Sequence, residues 1–281
     1  MAAAATTGLA ASTAAVAERA AARCDTGTVE VQPAPLAQDF DGWYADMIES
    51  PAKDEIQQRH LGLPPHLLST SLLGWEGIAE VTMALRLSAG GTLVDLACGR
   101  GGYGLEIAAR AGARLIGVDF SAEAVNQACE QARRLGRAAD FRVGDLAATG
   151  LDAGSAEAVL CVDSIQFALD PGAAYREIRR ILAPGGHTVL TCQEALDPDD
   201  DRVPGRVRRT DLRTGLTAAG FTDVEVLERP AWRDRERAMW KEAAALDPCD
   251  DAALRSFHEE GVRCLEIFSL MRRVMATATA P

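Results

Sequence analysis

The sequence has few lysines, few histidines and no long apolar runs. Lys53 and Lys241 are the only lysines among 29 basic residues, so arginine carries nearly all the positive charge. Acids outnumber bases 41 to 29, a formal net charge of −12. Phosphate backbones need a basic footprint, so nucleic acid is not an expected partner. No apolar run reaches the ~18 residues that can span a bilayer, and a membrane partner is not expected either. The first residues lack the basic start and compact apolar core of a signal peptide. The expected location is therefore cytoplasmic. The seven cysteines are odd in number and contain no C-x-x-C pair, and the four histidines show no ligand spacing. Neither a disulfide framework nor a metal site is expected, and the thiols read as reduced.

Hydrophobic residues make up 48% of the 281-residue chain, enough for a sizeable core. Residues 1–38 are rich in Ala, Thr and Pro and read as a mobile tail with a transient helix around Ala10–Ala22. Residues 39–88 read as a helical cap segment. From Thr92 the pattern becomes short apolar strands alternating with helices. The strands are Thr92–Ala97, Arg114–Phe120, Asp140–Val143, Ala156–Val162 and His187–Gln193. The helices between them are Tyr103–Ala111, Ala122–Leu135 and Ala173–Leu182. This alternation implies a parallel sheet covered on both faces. A further helix, Thr210–Ala219, leads to the strand Val224–Glu228, and Arg272–Ala280 reads as the last strand. Residues 229–271 between these strands are too long for a turn, since hairpin loops take ~2–5 residues. They carry two helical patterns and read as a lid or an interface.

The sharpest feature is Val94-Asp95-Leu96-Ala97-Cys98-Gly99-Arg100-Gly101-Gly102-Tyr103-Gly104, which follows a strand and opens a helix. Gly99, Gly101 and Gly104 satisfy G-x-G-x-x-G, a pattern also compatible with a nicotinamide site. Asp119 ends the next strand, where an acid can hold both ribose hydroxyls. Asp95 argues against a dehydrogenase, because a carboxylate beside a pyrophosphate repels it. A cationic cofactor carrying an ammonium gains from the same carboxylate. Gly144-Asp145-Leu146 follows the third strand, and Asp145 can accept an adenine amine. Ala183-Pro184-Gly185-Gly186 stops a helix before the fifth strand.

In these elements the chain resembles the class I S-adenosylmethionine-dependent methyltransferases of the small-molecule type. The resemblance covers about Thr92–Gln193, and Ala97 departs from it where the family often has glycine. It implies an α/β fold: a doubly wound, Rossmann-like, seven-stranded, mainly parallel sheet with an antiparallel last strand and a helical cap. It also implies one cofactor-binding domain, residues 89–281, with 229–271 inserted between the last two strands. The implied cofactor is S-adenosyl-L-methionine, with S-adenosyl-L-homocysteine as product.

Residue by residue, the resemblance implies that Asp95, Ala97, Gly99 and Gly101 bind the methionine part. Asp119 and Phe120 would hold the ribose and adenine, and Asp145 and Leu146 the adenine edge. Asp163 and Ser164 would face the sulfonium, and Tyr44 would clamp it from the N-terminal segment. Gln166 stands where relatives often have a histidine, and it cannot act as a base. Glu194 and His258 are therefore the candidate bases, with His66 as a third. Gln166, Trp75 and Trp232 are the candidate substrate contacts, within an aromatic-rich cap suited to a partly apolar organic molecule. Val262, Leu265 and Phe268 also make one helix face a candidate homodimer surface. The expected activity is methyl transfer to a small organic acceptor in secondary metabolism. A cyclase that holds the cofactor without transferring its methyl is the alternative.

Overall fold

The computed structural model describes residues 23–25, 40–46, 51–248 and 250–281. The helix expected around Ala10–Ala22 and most of the expected tail lie outside the described residues. Arg23–Asp25 of that tail forms a short strand, β1. The other strands are β2 (Thr92–Leu96), β3 (Arg114–Asp119), β4 (Asp140–Val143), β5 (Ala156–Val162), β6 (Leu182–Ala195), β7 (Thr222–Glu228) and β8 (Met271–Thr279). The sheet order is β1-β4-β3-β2-β5-β6-β8-β7. All pairs from β1 to β6 are parallel, while β8 runs antiparallel between β6 and β7. The seven expected strands are thus present, and β1 adds an eighth at the edge beside β4. A three-residue strand carries too little periodicity to stand out in an Ala-rich sequence.

Helices cover both faces. They are α1 (40–46), α2 (Pro51–Leu61), α3 (Trp75–Ala84), α4 (Gly102–Ala111), α5 (Ala122–Arg134), α6 (Pro171–Ile181), α7 (Gly205–Arg208), α8 (Leu212–Ala218), α9 (Pro230–Ala244) and α10 (Ala252–Ile267). One core joins Leu93, Leu115 and Phe141 of the sheet to Ile78, Ile107, Val125 and Met239 of the helices. The other joins Val94, Val159 and Leu190 to Ile178 of α6 and Leu216 of α8. Acidic and hydroxyl caps fix the helix starts: Ser121 accepts from Ala124 N, Asp170 from Ala173 N and Asp211 from Thr214 N. Among the described residues, no helix is long and apolar enough to cross a membrane. Cys129 is disulfide-bonded, which corrects the expectation of reduced thiols throughout. Cys98, Cys161, Cys192 and Cys264 are free.

The two long helices of residues 229–271 rise from the end of β7 and return to the start of β8. Because β7 runs parallel to β5 and β6, this places α9 and α10 over the carboxyl edge of the sheet, where ligands of such folds bind. A buried ion pair ties the cap to that edge. Asp163, just past β5, meets Arg273 of β8 at 2.6 Å. Asp163 also accepts from Leu72 N at 2.8 Å and from Thr191 Oγ1 of β6 at 2.7 Å. Its φ of +57° bends the chain so that one carboxylate reaches all three segments. Replacing Arg273 with Met strands this carboxylate in the core. Urea unfolding should show a loss of about 3–5 kcal/mol, because breaking a buried pair leaves an uncompensated charge.

Candidate functional site

The site is built from the loops at the ends of β2, β3, β4 and β5. After β2, Ala97 has φ +52° and Gly99 φ +52°. Alanine tolerates this left-handed position at a cost of ~1–2 kcal/mol, which a glycine would avoid. A Cβ on Gly99 would lie 2.9 Å from the Tyr44 hydroxyl. A Cβ on Gly104 would lie 2.5 Å from Asp95 Oδ2, so the glycine lets that carboxylate accept the backbone N–H at the start of α4.

Asp119 closes the same loop from β3. Its Oδ2 accepts from Gly99 N at 2.8 Å and its Oδ1 from Ser121 N at 3.0 Å. A carboxylate offers about four lone-pair sites, so capacity for a diol remains. Asp95 and Asp119 are both buried, and no ion pair to either occurs among the described residues. Burial first, and the neighbouring Asp119 second, push Asp95 up to about 8. Burial likewise holds Asp119 up at about 6. Two buried acids without a cation fit a cofactor that supplies positive charge and two hydroxyls. Asp145 is exposed, and its Oδ1 accepts from Ala147 N at 2.8 Å. Leu146 beside it packs on the second core.

Helix α1 covers this loop. Tyr44 is buried over Gly99, and burial pushes its phenol well up. Phe40 meets Phe120 at 5.2 Å and Phe167 at 5.8 Å between centroids. Asp41 accepts from Ser121 Oγ at 2.5 Å. From α2, Asp54 pairs with Arg100 of the loop at 2.8 Å. Tyr44, Asp95, Ala97, Gly99, Gly101, Asp119 and Phe120 therefore come together, as the sequence predicts.

The other candidates separate. The Asp163 carboxylate is held by Arg273, Leu72 N and Thr191, and Ser164 Oγ donates to Val162 O at 2.9 Å. Gln166 donates to the Asp163 carbonyl at 2.7 Å, and its Oε1 is buried without a partner. Glu194 is consumed structurally: it caps Leu212 N at 2.8 Å and pairs with Arg272 at 2.8 Å. His258 spends its Nδ1 on the Ala243 carbonyl at 3.1 Å. Trp75 stacks on Arg110 in the last turn of α4, the end remote from the glycine loop. Trp232 is buried against Gly77 of α3. None of these four joins the loop cluster. Amphipathic spacing marks a ring as inward-facing without saying which core it enters.

The sequence reading missed Glu236 and Arg273. Both are buried and charged, and both lie within apolar patterns. An acid on the stripe Trp232, Glu236, Met239, Trp240 and Ala243 was the available signal.

Residues 94–190 match the family model of the methyltransferase domain. A ubiquinone biosynthesis O-methyltransferase of Cupriavidus pinatubonensis is 33% identical over 132 residues, covering 46% of this chain and 49% of the relative. The chain spans about half the length of the curated relatives it matches first. The [4+2]-cyclase SpnF superimposes with TM-score 0.69 at 23% identity, covering 89% of this chain and 98% of that one. Phosphoethanolamine N-methyltransferase 2 of Haemonchus contortus gives TM-score 0.66 at 18% identity, covering 85% and 60%. The chain therefore has the class I methyltransferase fold and carries the methyltransferase domain sequence across 94–190.

The two raised acids set a sign for cofactor binding. In the free protein Asp95 keeps its proton to about pH 8. A cation beside it favours the ionised form, so binding expels a proton. Affinity for S-adenosylmethionine should rise with pH up to about 8. Calorimetry in buffers of different ionisation enthalpy should detect the released proton, and Asp95→Asn should abolish that release.

Proposed function

We propose that the protein is an S-adenosylmethionine-dependent methyltransferase acting on a small organic acceptor. The observation that carries this reading is the pair of buried acids, Asp95 and Asp119, which have no cation partner among the described residues and lie around a left-handed glycine loop. The methyltransferase-domain match across 94–190 supports it. When bound, the cofactor supplies an electrophilic methyl on a sulfonium.

In this reading Asp119 accepts from the ribose hydroxyls, and Asp95 favours the ammonium through the Gly99–Gly101 loop. Phe120 and Leu146 bracket the adenine, and Asp145 accepts its amine. Tyr44 closes over the loop and excludes water, while Ser164 and Gln166 border the acceptor. Asp163 orders the chamber wall by holding Arg273. Methyl transfer is an in-line displacement whose charge disperses in the transition state, so alignment and exclusion of water do most of the work. Residues 39–88 and 229–271 form the cover, and the rest of 89–281 binds the cofactor.

We place the enzyme in the cytoplasm and in secondary metabolism. No nucleic-acid partner is assigned, which the net charge of −12 supports. Of the face expected for a homodimer, Phe268 is buried and Leu265 packs on the first core, so only Val262 is exposed; the proposed homodimer would use the surface of α10 around Val262.

Asp119→Ala should weaken S-adenosylhomocysteine binding at least about 100-fold in calorimetry, since each hydrogen bond to a charged group is worth ~1.5–3 kcal/mol. Unchanged affinity would remove the ribose assignment. A cyclase is the second reading, supported by the near-complete structural cover of SpnF. Incubation with methyl-labelled cofactor and a metabolite extract separates the two. A labelled organic product supports transfer, whereas conversion of a metabolite without label supports the cyclase.

A further inference from the structure

Helix α9 carries one acid on its buried stripe. Glu236 is fully buried between Trp232, Met239 and Trp240. Its Oε1 accepts from Trp240 Nε1 at 3.1 Å and from Gln193 Nε2 at the end of β6. Its Oε2 has no hydrogen-bond partner among the described residues. A buried acceptor left unmade costs about 1–3 kcal/mol, and more when it is charged. Such a cost persists where function requires it.

The position of this oxygen is informative. Gln193 is the register partner of Arg273, and Arg273 holds Asp163 just past β5. β5 is the direct neighbour of β2 and its glycine loop. With strands ~4.8 Å apart, Glu236 stands about one to two strand spacings from the end of β5. Two more buried polar atoms of the same group have no partner among the described residues: Gln166 Oε1 and Arg273 Nε. Orphaned acceptors and a donor thus gather under the cap at the carboxyl edge of the sheet.

Resting on the methyltransferase reading, we propose that Glu236 Oε2 receives a hydroxyl hydrogen of the methyl acceptor and takes that proton, which makes the substrate an alcohol or phenol methylated on oxygen. Neutral amines are nucleophilic without a base, whereas a hydroxyl must lose its proton as it is methylated. The O–H bond breaks and its proton passes to Glu236 Oε2. The oxygen bonds to the methyl carbon as the carbon–sulfur bond breaks, and that bond's electron pair neutralises the sulfonium. Glu194, one base expected from the sequence, is spent on Leu212 N and Arg272, and His258 is turned by its Nδ1 towards the Ala243 carbonyl within the cap.

The surroundings poise the group for this exchange. Arg273 of β8, Asp163 beyond β5, Arg233 of α9 itself and Cys264 of α10 are the charged and titratable groups around it. Burial outweighs Arg273 and the Trp240 hydrogen bond and pushes Glu236 up to about 7. The folded state therefore keeps this proton longer than the unfolded chain, and stability falls as pH rises from about 4.5 to about 7.

Glu236→Gln in the full chain tests the proposal through stability, cofactor binding and transfer. At about pH 8 the variant should have a thermal midpoint equal to or above the wild type, since it removes an ionised, half-satisfied carboxylate. S-adenosylhomocysteine affinity should be unchanged. With methyl-labelled cofactor and a metabolite extract, the wild type should place the label on oxygen, as read from the NMR shift of the labelled methyl. With that acceptor, kcat of the variant should fall at least about 100-fold, and Glu236→Asp should restore part of it. A lowered midpoint at about pH 8, a label on carbon or nitrogen, or kcat within about threefold of wild type would overturn the proposal. The last two outcomes leave methyl transfer standing. No label transferred by the wild type removes the methyltransferase reading and this inference with it.

Discussion

The contact between Asp163 and Arg273 is the constraint on which the site depends. Both side chains are buried, and each would be costly to bury alone. Together they join the end of β5, the antiparallel β8 and the segment before α3 through Leu72 N. Thr191 of β6 completes the set. One carboxylate therefore fixes where the cap meets the sheet. It also fixes Arg273, whose register partner Gln193 positions Glu236. The catalytic edge is held by electrostatics and the two faces of the sheet by apolar packing.

The cofactor loop follows a different logic. Among the described residues no cation pairs with Asp95 or Asp119, and burial raises both above the usual carboxylate range. Their cost is offset when a positively charged ligand arrives. The pair Asp163–Arg273 is neutral within itself. In the proposed function, electrostatic attraction holds the donor and the oxygen on α9 meets the acceptor.

Much of this was legible in the sequence. Period-two and period-3.6 patterns placed most of β2 to β8 and of the longer helices near their observed bounds, but β6 begins at Leu182 rather than His187, so Ala183–Gly186 lie inside the strand, and the short α7 was not expected. The loop Asp95–Gly104 and Asp119 was legible because its chemistry depends on backbone conformation and on neighbours in sequence. The acceptor side was not. Glu194, His258, Trp75 and Trp232 read well by type and location, yet their partners, Leu212, Ala243, Arg110 and Gly77, lie far away in sequence. Glu236 was marked only by its place on an apolar stripe, and tertiary packing is what shows that it and Arg273 are buried. The β1 strand was too short to carry a pattern.

The central claim is that this acid-lined loop holds a sulfonium cofactor beneath α1. A crystal structure with S-adenosylhomocysteine tests it most directly. The account predicts ribose hydroxyls on Asp119, the ammonium beside the Gly99–Gly101 loop near Asp95, and the sulfur directed towards Asp163 and the cap. A structure that binds the molecule away from Asp95 and Asp119, or that leaves this loop unchanged and without ligand at saturation, would contradict it.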